Sequence, residues 1–351
     1  MTVRNVGPRP NLTLLAPTSA APTLPRSRGP LSELVIARLA QPPHEIPAAA
    51  VAGGADPLGD DDLHLALYVL YELHYRSFAG VDPGWEWEPS LIAFRAVLER
   101  VFESALREAL PVERPDDVPT QLQAILDEAD GPSLSRHLET KATLEQFREF
   151  AVHRSAYQLK EADPHSWAIP RLSGRSKVAL VEVQFDEYGG GRPERQHARL
   201  YAGVLEALGL DSGYGAYLDA IPGTTLATVN AMSMFGLHRR LRGAIVGNLA
   251  ALEMDSTVPN RRYGNALRRF GFGAEATLFF DEHVEADAVH EALAAHDLAA
   301  ALAEDDPEVG ADILFGARAM TLLDVRVAER ALASWAAGRT SLLRPLEPAP
   351  R

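Results

Sequence analysis

The stretch Phe279-Phe280-Asp281-Glu282-His283-Val284-Glu285-Ala286-Asp287-Ala288-Val289-His290 decides how the chain is read. As a helix it places His283, Asp287 and His290 at i, i+4 and i+7, within an arc of roughly 60°. Two imidazoles and a carboxylate stacked over two turns form half of a metal site, whose remaining ligands must come from other helices. The competing reading is a solvated acidic face, because Glu282, Glu285 and Glu291 lie nearby. Glu282 and Glu285 point away from the stripe, however, and Glu291 sits at its edge.

The chemistry open to such a site is narrowed by composition. The 351 residues include no cysteine. That removes disulfides, thiolate nucleophiles, iron–sulfur clusters and Cys-type zinc sites, so any metal is held by His and carboxylates. A net charge of −14 without a basic block argues against nucleic acid as a partner. No uninterrupted apolar run of about 18 residues occurs, so no membrane span is expected and the protein is read as cytoplasmic. With 46% hydrophobic and 23% charged residues, the chain is an ordinary globular sequence, long enough for one large domain or two.

Residues 1–30 contain Arg4, Arg9, Arg26 and Arg28, no acid and several prolines, and are expected to be a disordered tail. An N-terminal helical region is expected over 31–130. It comprises a short helix over 31–41, a linker over 42–60, a helix from Asp60 through Leu63–Phe78, one to about Leu110 and one over 119–129. Glu72 and His74 lie about 200° apart on one helix and cannot face a single ion, so both are read as structural. The main domain is placed at 135–338, with a flexible tail over 339–351. Its expected helices run from Ser135 or Thr143 to Lys160, then over 176–187, 193–208, 224–253, 275–303 and 307–337. The 224–253 helix is apolar almost all round, which places it at the centre of a bundle, and its Gly243-x3-Gly247 pair permits close contact with a neighbour. No strand pattern or internal repeat appears, so the fold class is all-α.

A buried pair of divalent ions needs mostly hard oxygen ligands with some imidazole and near-balanced charge. Carboxylates at helix positions expected to be buried are Glu161, before Pro164; Glu187, in Asp186-Glu187-Tyr188; and Glu253, at the end of the apolar helix. His197 follows one helix later. With His283, Asp287 and His290 these make four carboxylates and three histidines, and four negative charges neutralise two iron(II) ions. Glu194 competes with Glu187, because Glu194-x2-His197 has the Glu-x-x-His spacing of ferritin-like bundles. Its setting between Arg192 and Arg195, in a first helical turn, favours an exposed acid instead.

This set of residues resembles the haem-oxygenase-like diiron oxidases and oxygenases, as does the stretch Leu159-Lys160-Glu161-Ala162-Asp163-Pro164, which is similar to members described as iron-containing redox enzymes. The resemblance covers roughly 140–338. It implies a helical bundle of about seven core helices preceded by an extra N-terminal helical region. It also implies two irons held by Glu161, Glu187, His197, Glu253, His283, Asp287 and His290. The Gly189–Gly191 loop departs from the pattern and could loosen the Glu187 segment. The implied activity is O2-dependent oxidation of a small organic substrate, either N-oxygenation of an amino-acid-like amine or oxidative C–C cleavage, with O2 as co-substrate. An external electron donor and a homodimeric state are left open. Arg239, Arg240 or Arg242 could meet a substrate carboxylate, although exposed arginine is the default. The rival readings are a non-catalytic helical protein that binds iron or a partner, and a metal-free thiaminase-like hydrolase of the same fold. The hydrolase lacks its cysteine here. Catalytic zinc takes three protein ligands, which counts against a zinc hydrolase.

Overall fold

The computed structural model describes residues 21–47, 54–111, 115–129 and 131–347, the side chains of 286–289 excepted. Every regular element among them is helical. The N-terminal elements are α1 (Pro30–Leu39), α2 (Asp61–Glu72), α3 (Pro89–Ala109) and α4 (Val118–Asp127). Asp60 caps α2 by accepting from the backbone N–H groups of Asp62 and Leu63. The helix ends at Glu72, short of the expected Phe78. Ten successive residues of α2, Leu63 to Glu72, are buried, and α2 packs against α10 (Gly223–Leu237). One apolar core runs from Val35 to Leu342 and includes side chains from both regions.

Of the two starts expected for the first long helix, Thr143 is the one observed: α5 (Leu134–Thr140) is separate, and α6 (Leu144–Gln158) begins at the reciprocal capping box of Thr143 and Gln146. A second expected long helix is divided. The apolar 224–253 segment becomes α10 and α11 (Arg242–Met254), with His238 extended between them. Its interruption is tertiary. Arg171 donates to the carbonyls of Gly236 and Leu237, the latter at 2.8 Å, and satisfies the end of α10 from outside the segment. The remaining elements are α7 (Asp163–Ser166), α8 (Gly174–Glu187), α9 (His197–Ala207), α12 (Thr257–Arg269) and α13 (Ala274–Ala292). A π-helical stretch over Leu293–Ala300 joins α13 to α14 (Ala301–Asp305), and α15 (Gly310–Ala336) closes the bundle, with Gly338 in the left-handed region after it. The chain ends were expected to be loose, but parts of both are packed. Ala79 donates to the carbonyl of Pro22 at 2.8 Å. Ser341 and Leu342 are buried, and the Ser341 hydroxyl donates to Glu149 at 2.6 Å. Residues 1–20 lie outside the described residues.

The glycine pair does hold a close helix crossing. α11 packs along α15, and a Cβ at Gly247 would overlap the carbonyl of Ile313, while one at Gly316 would overlap that of Ala244. Helix propensity alone predicts that Gly247→Ala stabilises the protein by about 1 kcal/mol. The crossing predicts the opposite sign, a loss of about 1–3 kcal/mol from overpacking. A urea midpoint that falls supports the crossing; one that rises contradicts it.

Candidate metal centre

Three helices direct their C-terminal ends at one buried spot. Glu161 lies in the turn that follows α6, Glu187 is the last residue of α8, and Glu253 stands near the end of α11. Each helix end carries a partial negative charge, so the convergence adds to the charge of the carboxylates. All three are buried, and burial pushes all three carboxyls up from the ordinary carboxylate range. Around them stand His197, the first residue of α9, and His283 and His290 on α13, all buried as well.

The side chains fall into two groups. Glu161, Glu187, His197 and His283 each offer a ligand atom within 4.8 Å of the others, and so do Glu187, Glu253 and His290. Glu187 belongs to both groups. His197 Nδ1 lies 2.9 Å from Glu187 Oε2, and His283 Nε2 lies 3.5 Å from Glu161 Oε1. Glu161 Oε2 is buried without a hydrogen-bond partner among the described residues. The ring of His283 is oriented by its own helix, because Nδ1 donates to the Phe279 carbonyl at 2.8 Å and turns Nε2 toward the cluster. His290 sits between two acids, with Nδ1 3.3 Å from Glu253 and Nε2 3.2 Å from Asp186. Burial works against its imidazolium but is outweighed by Glu253, Asp186 and Glu187, and the ring is pushed up to about 9.

The structure thus brings together six of the seven residues singled out in the sequence, while the side chain of Asp287 lies outside the described residues. It separates the two rival acids. Glu194 is exposed in a short 3-10 turn (Pro193–Arg195), and Gln196 leaves helical geometry before α9 begins, so Glu194 and His197 do not share a helix. Arg195 instead pairs with Glu282 of α13. Asp186 is the partner that sequence reasoning left without a role, although it stands beside Glu187. A carboxylate on the outer nitrogen of a ligand imidazole fixes its orientation and basicity.

A cavity of about 120 Å³ opens on the first group. Glu161, Glu187, Glu253 and His283 line it, together with Arg154 and Tyr157 from α6. Arg154, Tyr157 and Glu161 follow one another at three- and four-residue steps, a stripe the sequence displayed but that reasoning passed over. Phe150, Leu249, Leu252, Phe280 and Met320 form the apolar wall, and Asp255 and Asp324 also line the cavity. Arg154 Nη2 lies 3.3 Å from Asp324. The Tyr157 hydroxyl is pushed well above its ordinary range, first by burial and then by the charges of Glu161, Glu187 and Glu253. Arg240 and Arg242 are spent elsewhere, on Glu103 and Asp306, and neither lines this cavity.

Hard carboxylate oxygens with imidazole nitrogens and no thiolate suit a first-row divalent ion such as iron(II). A sequence profile described as iron-containing redox enzyme matches residues 148–325, which is half of the chain and includes all six clustered residues. The chain belongs to that iron-containing redox enzyme family. Its all-helical architecture agrees with the haem-oxygenase-like fold of the family. No curated protein matches the sequence. Among the described residues no helix is long and apolar enough to cross a membrane.

Replacing the two candidate acids should separate their roles. Glu187→Ala is expected to lower the iron load of anaerobically reconstituted protein, since it removes a side chain common to both groups. Glu194→Ala is expected to leave the load unchanged and the urea midpoint nearly so, since Glu194 is exposed on a short 3-10 turn outside α9. Loss of metal in the Glu194 variant alone contradicts this assignment.

Proposed function

We propose that this iron-containing redox enzyme is a non-haem diiron oxygenase, with Glu187 shared between two iron(II) ions, which uses O2 to oxidise a small organic substrate. The observation that carries the reading is the pair of buried ligand groups joined at Glu187 beside a cavity. Glu161, His197 and His283 would complete one position, Glu253 and His290 the other, and Asp287 is retained from the sequence as a further ligand. The metals, when bound, supply the electrons and the site for O2 activation.

The rest of the work belongs to the chain. Phe150, Leu249, Leu252, Phe280 and Met320 exclude water from the substrate side and leave a space suited to a small molecule. Arg154, Asp255 and Asp324 give that space groups of both signs, which favours an amphoteric, amino-acid-like amine over a hydrocarbon. N-oxygenation of such an amine and oxidative C–C cleavage both fit these groups. Tyr157 lines the same cavity, and burial pushes its hydroxyl well above its ordinary range, so it can hold a proton there. The asymmetry of the imidazoles has a role too, since His283 Nδ1–H and His290 Nε2–H are committed to Phe279 and Asp186, leaving the opposite nitrogens for metal.

Protein reconstituted with iron(II) under anaerobic conditions is expected to hold two irons per chain and to consume O2 when it is admitted, with oxidation of the metal. His283→Ala and His290→Ala should abolish that consumption while the helical circular-dichroism spectrum stays largely intact. A stable iron load with no O2 uptake would instead identify a non-catalytic iron-binding protein.

A further inference from the structure

The turn that carries Glu161 is held from outside the matched residues. Lys160 and Glu161 are neighbours whose side chains diverge: Glu161 meets His283, whereas Lys160 runs away from the cluster into the N-terminal region. There Lys160 Nζ lies 2.9 Å from Glu72 Oε2, with both side chains essentially inaccessible to solvent. The ammonium also sits 4.6 Å from the ring centre of Tyr68 and 4.3 Å from that of Tyr75. The second Glu72 oxygen accepts from the Tyr214 hydroxyl at 2.6 Å. Arg76, one turn past Glu72, donates to the carbonyl of Leu159 at 3.4 Å.

The turn needs such fixing. Ala162 adopts φ 73°, a left-handed conformation that a side chain disfavours. On the opposite side Gln184 of α8 donates to the Ala162 carbonyl at 2.7 Å, one turn before Glu187. Residues 160–162 are therefore gripped between α2 and the helix that ends in Glu187. A buried ammonium and carboxylate tolerate little displacement, because any separation leaves both charges unpaired in an apolar setting.

We propose that Glu72 and Lys160 are positioning residues for the metal centre: through their ion pair the N-terminal helical region fixes Glu161 in ligand geometry. This rests on the diiron reading above. It makes α2, which lies outside residues 148–325, an integral part of the site.

The test is an anaerobic iron(II) titration of the full-length protein and of Glu72→Gln, Lys160→Met and the double variant E72Q/K160M, with urea midpoints measured on the same samples. The wild type is expected to bind two irons. Each single variant is expected to lose about tenfold in affinity for one iron, the low end of what loss of a direct outer-shell partner costs, because the pair reaches Glu161 only through the backbone. The other iron, on the Glu253 and His290 side, should bind nearly as before. The double variant removes both buried charges, so its urea midpoint should recover relative to the single variants. Its affinity for the affected iron should stay low. Recovery of both midpoint and affinity would reduce the pair to a fold-stabilising contact and overturn the proposal, as would single variants that bind both irons like the wild type. A wild-type protein that takes up no iron would overturn the diiron reading itself, and the proposal with it.

Discussion

Three carboxylates at the ends of three helices are buried in one place, and the rest of the structure answers to that fact. Desolvation and mutual repulsion both oppose placing Glu161, Glu187 and Glu253 together, and the negative ends of α6, α8 and α11 add to the opposition. Only a concentration of positive charge turns the arrangement favourable. His197, His283 and His290 stand where they can donate to a metal, and without one His290 is driven toward its charged form by the acids beside it. The destabilising feature of the bare fold is thus the feature that makes it select a cation.

Holding such a cluster requires rigid surroundings. The α11–α15 crossing leaves no room for a Cβ at Gly247 or Gly316, so the helix that presents Glu253 has little freedom to recede. The π-helical stretch after α13 packs against both α8 and α11, the helices that carry Glu187 and Glu253. On the far side, α2 reaches the Glu161 turn through a buried ion pair. The segments that carry Glu161, Glu187 and Glu253 are therefore each held by a neighbouring element.

Much of this was legible in the sequence because it is local. The spacing of His283 and His290, the apolar run toward Glu253, the helix stop before Gly189 and the Gly243–Gly247 pair all report on neighbours along the chain. What was hidden depends on partners far away. The break at His238 is capped by Arg171, 66 residues from Leu237 in sequence, and Glu72 is paired with Lys160, 88 residues away. Glu72 read as structural from its helical phase with His74, and that phase carried no sign that it braces a neighbour of Glu161. The start at Thr143 differs, since its capping box is a local signal and could have been preferred over the start at Ser135. Geometry distinguished Glu187 from Glu194 where motif spacing could not, because one ends a helix inside the bundle and the other sits on an exposed turn.

The most direct test of the account is anomalous diffraction at the iron absorption edge from crystals of anaerobically loaded protein. Two peaks per chain are predicted, one among Glu161, Glu187, His197 and His283 and the other among Glu187, Glu253 and His290. The absence of a peak at these residues in iron-loaded crystals, or a single peak bound elsewhere, would contradict it.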